Sequence, residues 1–283
     1  MNPIRIIDSH QHVWQLSRGD YGWLTPQLKP LYRDFLPHDI APIFKELKID
    51  GSILVQAAPT LAETKFLLDL AAQHDFILGV VGWVDMESSD APDHIHKLAN
   101  NSYFLGIRPM IQDIPDIDWM LKKEIAPSLK TLETLNLTFD ALVLPPHLPN
   151  LIQLLKRYPH LKVVIDHGAK PFIKNAILEP WATEMKTLAE FPNVFCKLSG
   201  LVTEAGTTWS WNQLLPYFSH LFACFGSQRI MWGSDFPVLN LASDYHAWFQ
   251  FCWDYVSVLG RDALKNVFGG TAEQFYQCRA IIS

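Results

Sequence analysis

Eight short β-branched or aliphatic runs, each followed by a stretch of helical periodicity, predict an α/β protein whose parallel strands close into a (β/α)8 TIM barrel. Two further observations favour this over an open doubly wound sheet. The length of 283 residues suits one such barrel as a single domain, 1–283. No G-x-G-x-x-G follows the first run, and no G-x-x-x-x-G-K-[ST] occurs, so neither nucleotide fingerprint supports the open sheet.

The first run is IRIID (4–8), in which Asp8 begins a series with His10 and His12 at a spacing of two. On an extended strand alternate side chains share a face, so the three are expected to point the same way. SILVQ (52–56) is second, and behind it Thr60 with Glu63 forms a capping-box pattern ahead of Phe66, Leu67, Leu70 and Ala71. ILGVVGWV (77–84), FLGIRPM (104–110) and LTFDALVL (137–144) follow. Pro149 then opens LIQLLKRY in the early helical position where a missing N–H costs nothing. KVVID (162–166), NVFCKLSG (193–200) and RIMWGSD (229–235) complete the eight. No internal repeat, low-complexity tract or linker divides the chain.

Composition bounds the function. With 49% hydrophobic and 18% charged residues, ten Trp and seventeen Phe, the chain has the make-up of a packed globular protein. A net charge of −6 argues against a nucleic-acid partner. No apolar run reaches bilayer length and the N-terminus lacks a basic-then-apolar pattern, so a cytoplasmic protein with no membrane partner is expected. Cys196, Cys224, Cys252 and Cys278 lie far apart without a C-x-x-C pair, the pattern of reduced, mostly buried thiols. Oligomeric state is left open.

In a barrel of this kind chemistry gathers at the C-terminal ends of the strands. Those ends carry Asp8, His10 and His12, then Gln56, Trp83 with Asp85, Arg108, His147, His167, Lys197 with Ser199, and Asp235. Two imidazoles on one strand face can bind a single ion if further ligands converge; otherwise they are hydrogen-bonded structural histidines. His167 and Asp235 supply the remaining members of a four-ligand or acid/base cluster. Arg108 is placed either to grip a carboxylate or hydroxyl oxygens or to form a structural ion pair. Lys197 and Ser199 share a strand face and are expected to point to the barrel axis as donors to substrate, with Gln56 donating to a hydroxyl or bridging strand ends.

The segments D-S-H-Q-H-V-W, V-I-D-H-G-A-K-P, V-F-C-K-L-S-G and M-W-G-S-D-F-P together resemble the amidohydrolase-related family of the amidohydrolase superfamily, and within it the branch of L-fucono- and L-rhamnono-lactonase-like enzymes. The likeness runs to F-G-G-T-A-E-Q-F-Y, where such proteins usually carry Asn in place of Thr271; Thr271 with Gln274 is expected still to cap the last helix. The resemblance implies a hydrolase opening the lactone of a small sugar acid, with His10, His12, His167 and Asp235 as the central cluster and Asp235 acting on the attacking water. It implies one divalent ion, zinc foremost, on those four residues, or none, since the branch includes members thought to work without metal. Bridged two-metal centres place a carboxylated Lys or a Glu on a middle strand, and GIRPM and LVLPPH offer neither. His147 is either an extra ligand or a helix-entry residue. The loop RGDYGWLTP is similar to the R-x-x-Y-x-W-L segment of the lactonases, which implies a lid with Tyr21 and Trp23 as substrate contacts. Trp14, Trp83, Trp209 and Trp211 are further rim indoles able to stack on a sugar ring or to pack the rim. Two other readings keep the same residues: a zinc-dependent decarboxylase of the wider family, and an inactive sugar-acid binding barrel, which would have no need of a base beside three histidines.

Overall fold

Parallel strands β1 (Ile7–Gln11), β2 (Gly51–Val55), β3 (Ile77–Gly82), β4 (Phe104–Ile107), β5 (Thr138–Ala141), β6 (Lys162–Ile165), β7 (Val194–Leu198) and β8 (Ile230–Trp232) pair in chain order. The computed structural model describes residues 4–206 and 208–278. Helices α1 (Pro37–Leu47), α2 (Leu61–Gln73), α3 (Ala91–Ala99), α4 (Ala126–Leu135), α5 (Leu148–Arg157), α6 (Trp181–Leu188), α7 (Trp211–Phe225) and α8 (Tyr245–Ser257) each follow one strand, and α9 (Arg261–Lys265) and α10 (Thr271–Tyr276) come after α8. The expected (β/α)8 barrel is what forms.

The ring closes through two backbone hydrogen bonds just beyond β8. Asp235 N–H donates to the carbonyl of His10 at 2.8 Å, and His12 N–H donates to the carbonyl of Phe236 at 2.8 Å. Gly233 makes this approach possible, because a Cβ there would lie 2.7 Å from the His10 Cβ. The inner core is Ile7, Ile53, Val55, Leu78, Val81, Leu105, Val164 and Met231, and Ala272, Phe275 and Tyr276 of α10 pack into it from the floor of the barrel. A larger apolar layer lies between strands and outer helices.

Three local expectations change. First, β1 begins at Ile7 and carries a bulge: Asp8 pairs with Ser52 and Gln11 with Leu54, three residues against two. The extra residue reverses the facing of the strand. Ile7 and His10 therefore face inward, whereas Asp8 faces the helical layer, accepting from Tyr245 Oη at 2.8 Å and Ser234 N–H at 2.8 Å. Second, Thr60 caps α2 by accepting from Glu63 N–H at 3.0 Å, but the Glu63 carboxylate takes the Ala57 and Ala58 N–H groups instead of closing the box. Third, Thr271 does not cap α10; its hydroxyl donates to the Ser227 carbonyl at 3.3 Å, and a π-helical turn (Asn266–Gly270) joins α9 to α10. All four cysteines are free, Cys196 and Cys252 buried and the other two half-buried. Among the described residues no helix is long and apolar enough to cross a membrane.

Candidate active site

Past the bulge, His10 and His12 lie on the inner face of β1 at its C-terminal end. His12 Nδ1 sits 2.7 Å from the Val55 carbonyl, which assigns that nitrogen the proton and leaves the Nε2 lone pair facing inward. His167 follows β6 in a turn of left-handed residues, its own φ being 54°, and its Nδ1 lies 2.9 Å from Ser199 Oγ. Gly200 leaves room for that ring, since any Cβ there would collide with it. Asp235 also has a left-handed backbone, φ 58°, fixed by the seam bond to His10 and aiming its carboxylate at the imidazoles.

The four side chains converge. His10 Nε2 and His12 Nε2 are 3.2 Å apart; Asp235 Oδ1 lies 3.3 Å from His12 Nε2, 3.7 Å from His10 Nε2 and 3.9 Å from His167 Nε2. Four ligands around tetrahedral zinc at its usual bond lengths stand about 3.3 Å from one another. His10, His12 and Asp235 therefore stand close enough to hold one divalent ion, with His167 Nε2 on the far side of the Asp235 carboxylate, and the chemistry of the donors agrees. Burial, with Lys197, His12 and Arg108 nearby, holds His10 well below the ordinary imidazole range. Burial also lowers His12 and His167, although Asp235 pulls both part of the way back. Burial would raise the Asp235 carboxyl, but His167, His12 and Lys170 bring it below the usual range. Neutral imidazoles beside an ionised carboxylate are the state in which a metal binds or a base acts. A second triple, His10, Asp166 and His167, is also close enough to hold an ion, but the Lys197 ammonium already sits 3.1 Å from Asp166 Oδ1.

Beneath the cluster lies a charged floor, whose acids and Tyr276 sequence reading missed. Lys197 Nζ is fully buried at 2.6 Å from Asp140 Oδ2, 3.1 Å from Asp166 Oδ1 and 3.2 Å from His10 Nδ1. Tyr276 Oη donates to Asp140 Oδ2 at 2.6 Å, so α10 reaches this network from below. Lys197 therefore points to the axis as expected but does not line the cavity; it supports His10. Ser199 likewise touches His167. Gln56 Nε2 donates to the Arg108 carbonyl at 2.7 Å, and Arg108 Nη2 returns a bond to the Gln56 carbonyl, so Gln56 braces Arg108. Arg108 Nη1 stands 3.5 Å from His10 Nε2 and 3.6 Å from Asp166 Oδ2. The one sequence signal for the missed acids was their oddity: Asp140 interrupts an apolar strand run and Asp166 ends one.

A cavity of ≈220 Å³ opens over the cluster, walled by His12, His167, Asp235, Arg108, Trp23 and Lys170 among others. Lys170, three residues after His167 in the same motif, was not singled out. The remaining expected residues scatter. Trp23 lines the cavity with its indole N–H held by the Ala57 carbonyl at 2.7 Å, whereas Tyr21 is buried behind it against Trp14. Trp83 lies on a neighbouring cavity. His147 Nδ1 accepts from Leu144 N–H at 3.1 Å, which makes it a helix-entry residue and no part of the cluster. Trp14 is fully buried, and Trp209 and Trp211 pack edge to face at 4.6 Å away from the cavity.

A parallel (β/α)8 barrel with imidazoles and a carboxylate gathered at the mouth is the architecture of a hydrolytic barrel enzyme. Residues 7–278 match the amidohydrolase family, and the chain belongs to it. It is 44% identical over 275 residues to the L-fucono-1,5-lactonase of Burkholderia ambifaria, covering 96% of this chain and 95% of that protein. A second L-fucono-1,5-lactonase, from Burkholderia multivorans, is 32% identical, with 95% of each chain covered. The crystal structure of an amidohydrolase from Burkholderia multivorans with bound zinc superimposes with a TM-score of 0.92 at 31% identity, covering 97% of this chain and 100% of that one.

Proposed function

We propose that this chain is a lactonase that opens the 1,5-lactone of a small sugar acid, of the L-fuconate kind, using water as the nucleophile. The observation that carries the reading is the Asp235 carboxylate, 3.3 Å from His12 and facing a small cavity that also holds two cations, Arg108 and Lys170. The two lactonase relatives support the substrate class. At ≈220 Å³ the cavity is smaller than the roughly 300–1,000 Å³ typical of larger ligands, which suits a single ring.

In this reading Asp235 takes a proton from water as it attacks the carbonyl carbon. Arg108, braced by Gln56, and Lys170 face the carbonyl oxygen as charge develops on it. The proton on Asp235 then passes to the ring oxygen as it leaves, so that acid and alcohol appear on one product. His10, His12 and His167, oriented by Lys197, Val55 and Ser199, either hydrogen-bond the reacting oxygens, His12 Nε2 as an acceptor toward the water, or hold a divalent ion with Asp235. Such an ion, which we take to be zinc from the relative that binds it, would polarise the carbonyl and acidify water. Trp23 offers an indole face to the sugar ring.

The test is acid release from a panel of aldonolactones that includes L-fucono-1,5-lactone. Asp235→Asn is expected to lower kcat by about 10²–10⁴ with a smaller change in KM. Unchanged release in that variant would remove Asp235 from its role. No lactone opened, together with carbon dioxide loss from an aromatic acid, would favour the decarboxylase reading.

A further inference from the structure

A second, larger cavity of ≈500 Å³ adjoins the first and shares Trp23, Met110 and Asp113 with it. The chemistry of its walls is different. The catalytic cavity presents Arg108, Lys170 and two imidazoles; the second has no basic side chain among its described lining residues. Its walls are the indoles of Trp23, Trp83 and Trp119 with Met86, Met110 and Ile114, and its rim carries Asp20, Asp85, Glu87 and Asp113.

These walls are set in place by contacts made outside the cavity. Trp23 donates its indole N–H to the Ala57 carbonyl and Trp119 donates its own to Glu87 Oε2 at 2.8 Å, so neither needs a hydrogen bond from a ligand. Glu87 is also held by Lys122 at 2.9 Å, and Asp20 by Arg18 at 2.8 Å. The Trp83 backbone is fixed by Thr64 through its N–H and carbonyl. What remains for a guest is indole faces and thioether or aliphatic surface under a rim of carboxylates. Such a wall stacks an uncharged ring, and the two rim carboxylates with no cation partner among the described ion pairs, Asp85 and Asp113, repel an anion.

We propose that this cavity is a subsite for an uncharged ring, an arene or a second sugar presenting its C–H face, carried as a substituent on the substrate whose lactone sits over Asp235. The inference rests on the lactonase reading and adds to it a substrate of two rings. It also separates the two parts of that substrate by charge: an oxygen-rich reacting ring toward Arg108 and Lys170, a neutral ring toward the tryptophans.

The test compares one aldono-1,5-lactone that the enzyme opens with its O-benzyl, O-glucosyl and O-(4-carboxybenzyl) derivatives, placed at each free hydroxyl. At least one neutral derivative is expected to show a KM about tenfold below that of the bare lactone, and its carboxylated counterpart to lose that gain. Ile114 is half-buried on the cavity wall, so its variants are expected to fold. Ile114→Trp, which fills the space, should abolish the gain while leaving the bare lactone within twofold of wild type. Ile114→Arg should shift the preference toward the carboxylated ring. A gain with benzyl alone assigns an arene, and one with glucosyl assigns a sugar. No gain for any derivative, or a gain that survives Ile114→Trp, overturns the subsite. If no lactone is opened at all, the lactonase reading fails separately, and the cavity is read by calorimetric titration with benzyl alcohol: saturable binding lost in Ile114→Trp sustains ring binding, and its absence ends it.

Discussion

The Lys197 ammonium lies under His10 between two buried carboxylates, Asp140 and Asp166. Removing it by Lys197→Met should therefore destabilise the fold by about 3–5 kcal/mol, read by chemical denaturation, because Asp140 and Asp166 lose their shared cation. Ser199→Ala should cost little stability yet lower kcat, since only the orientation of His167 is lost. Glu63 gives a pH signature. It is wholly buried, and burial pushes its carboxyl up to about 7 from 4.5 despite the Ala57 and Ala58 N–H donors. The folded state thus holds this proton more tightly than the unfolded one. Its contribution to stability is full below pH 4.5 and is lost as pH rises through about 7, a change of about 3 kcal/mol. Urea denaturation of wild type across that interval should show the decline, and Glu63→Gln should flatten it.

At the scale of elements, the strands and their order were legible because eight apolar runs recur with helical stretches between them. Their C-terminal limits were not. The runs 104–110, 137–144 and 193–200 end as strands at Ile107, Ala141 and Leu198, because the chain leaves the ladder where it must aim side chains into the mouth. The bulge in β1 is a similar case: nothing in IDSHQ announces an extra residue, yet it sends Asp8 outward, where burial raises its carboxyl to about 6, and His10 and His12 inward. Deleting Ser9 should restore simple pairing, turn the histidines out of the site and abolish activity. Loss of activity without the change in His10 and His12 environment expected by NMR would count against this account. The three motif histidines and Asp235 were readable as a set; Arg108's brace, Lys170 and the acids of the charged floor needed the fold to bring distant strands together.

At the scale of the molecule, α10 links the floor of the barrel to the site. Phe275 fills the inner core and Tyr276 bonds Asp140, so Phe275→Ala should cost about 3–5 kcal/mol in thermal or chemical denaturation, and Tyr276→Phe about 1.5–3 kcal/mol through loss of a bond to a buried carboxylate. Elemental analysis before and after chelation, beside lactone turnover, decides the role of the histidines: parallel loss of ion and activity makes them ligands, retained activity makes them hydrogen-bonding groups. The seam between His10 and Asp235 has one more consequence. Its two halves lie some 225 residues apart in the chain. A fragment that stops short of β8 carries imidazoles and no base, so activity on mixing it with the complementary fragment would report that the seam between β1 and the segment after β8 has re-formed.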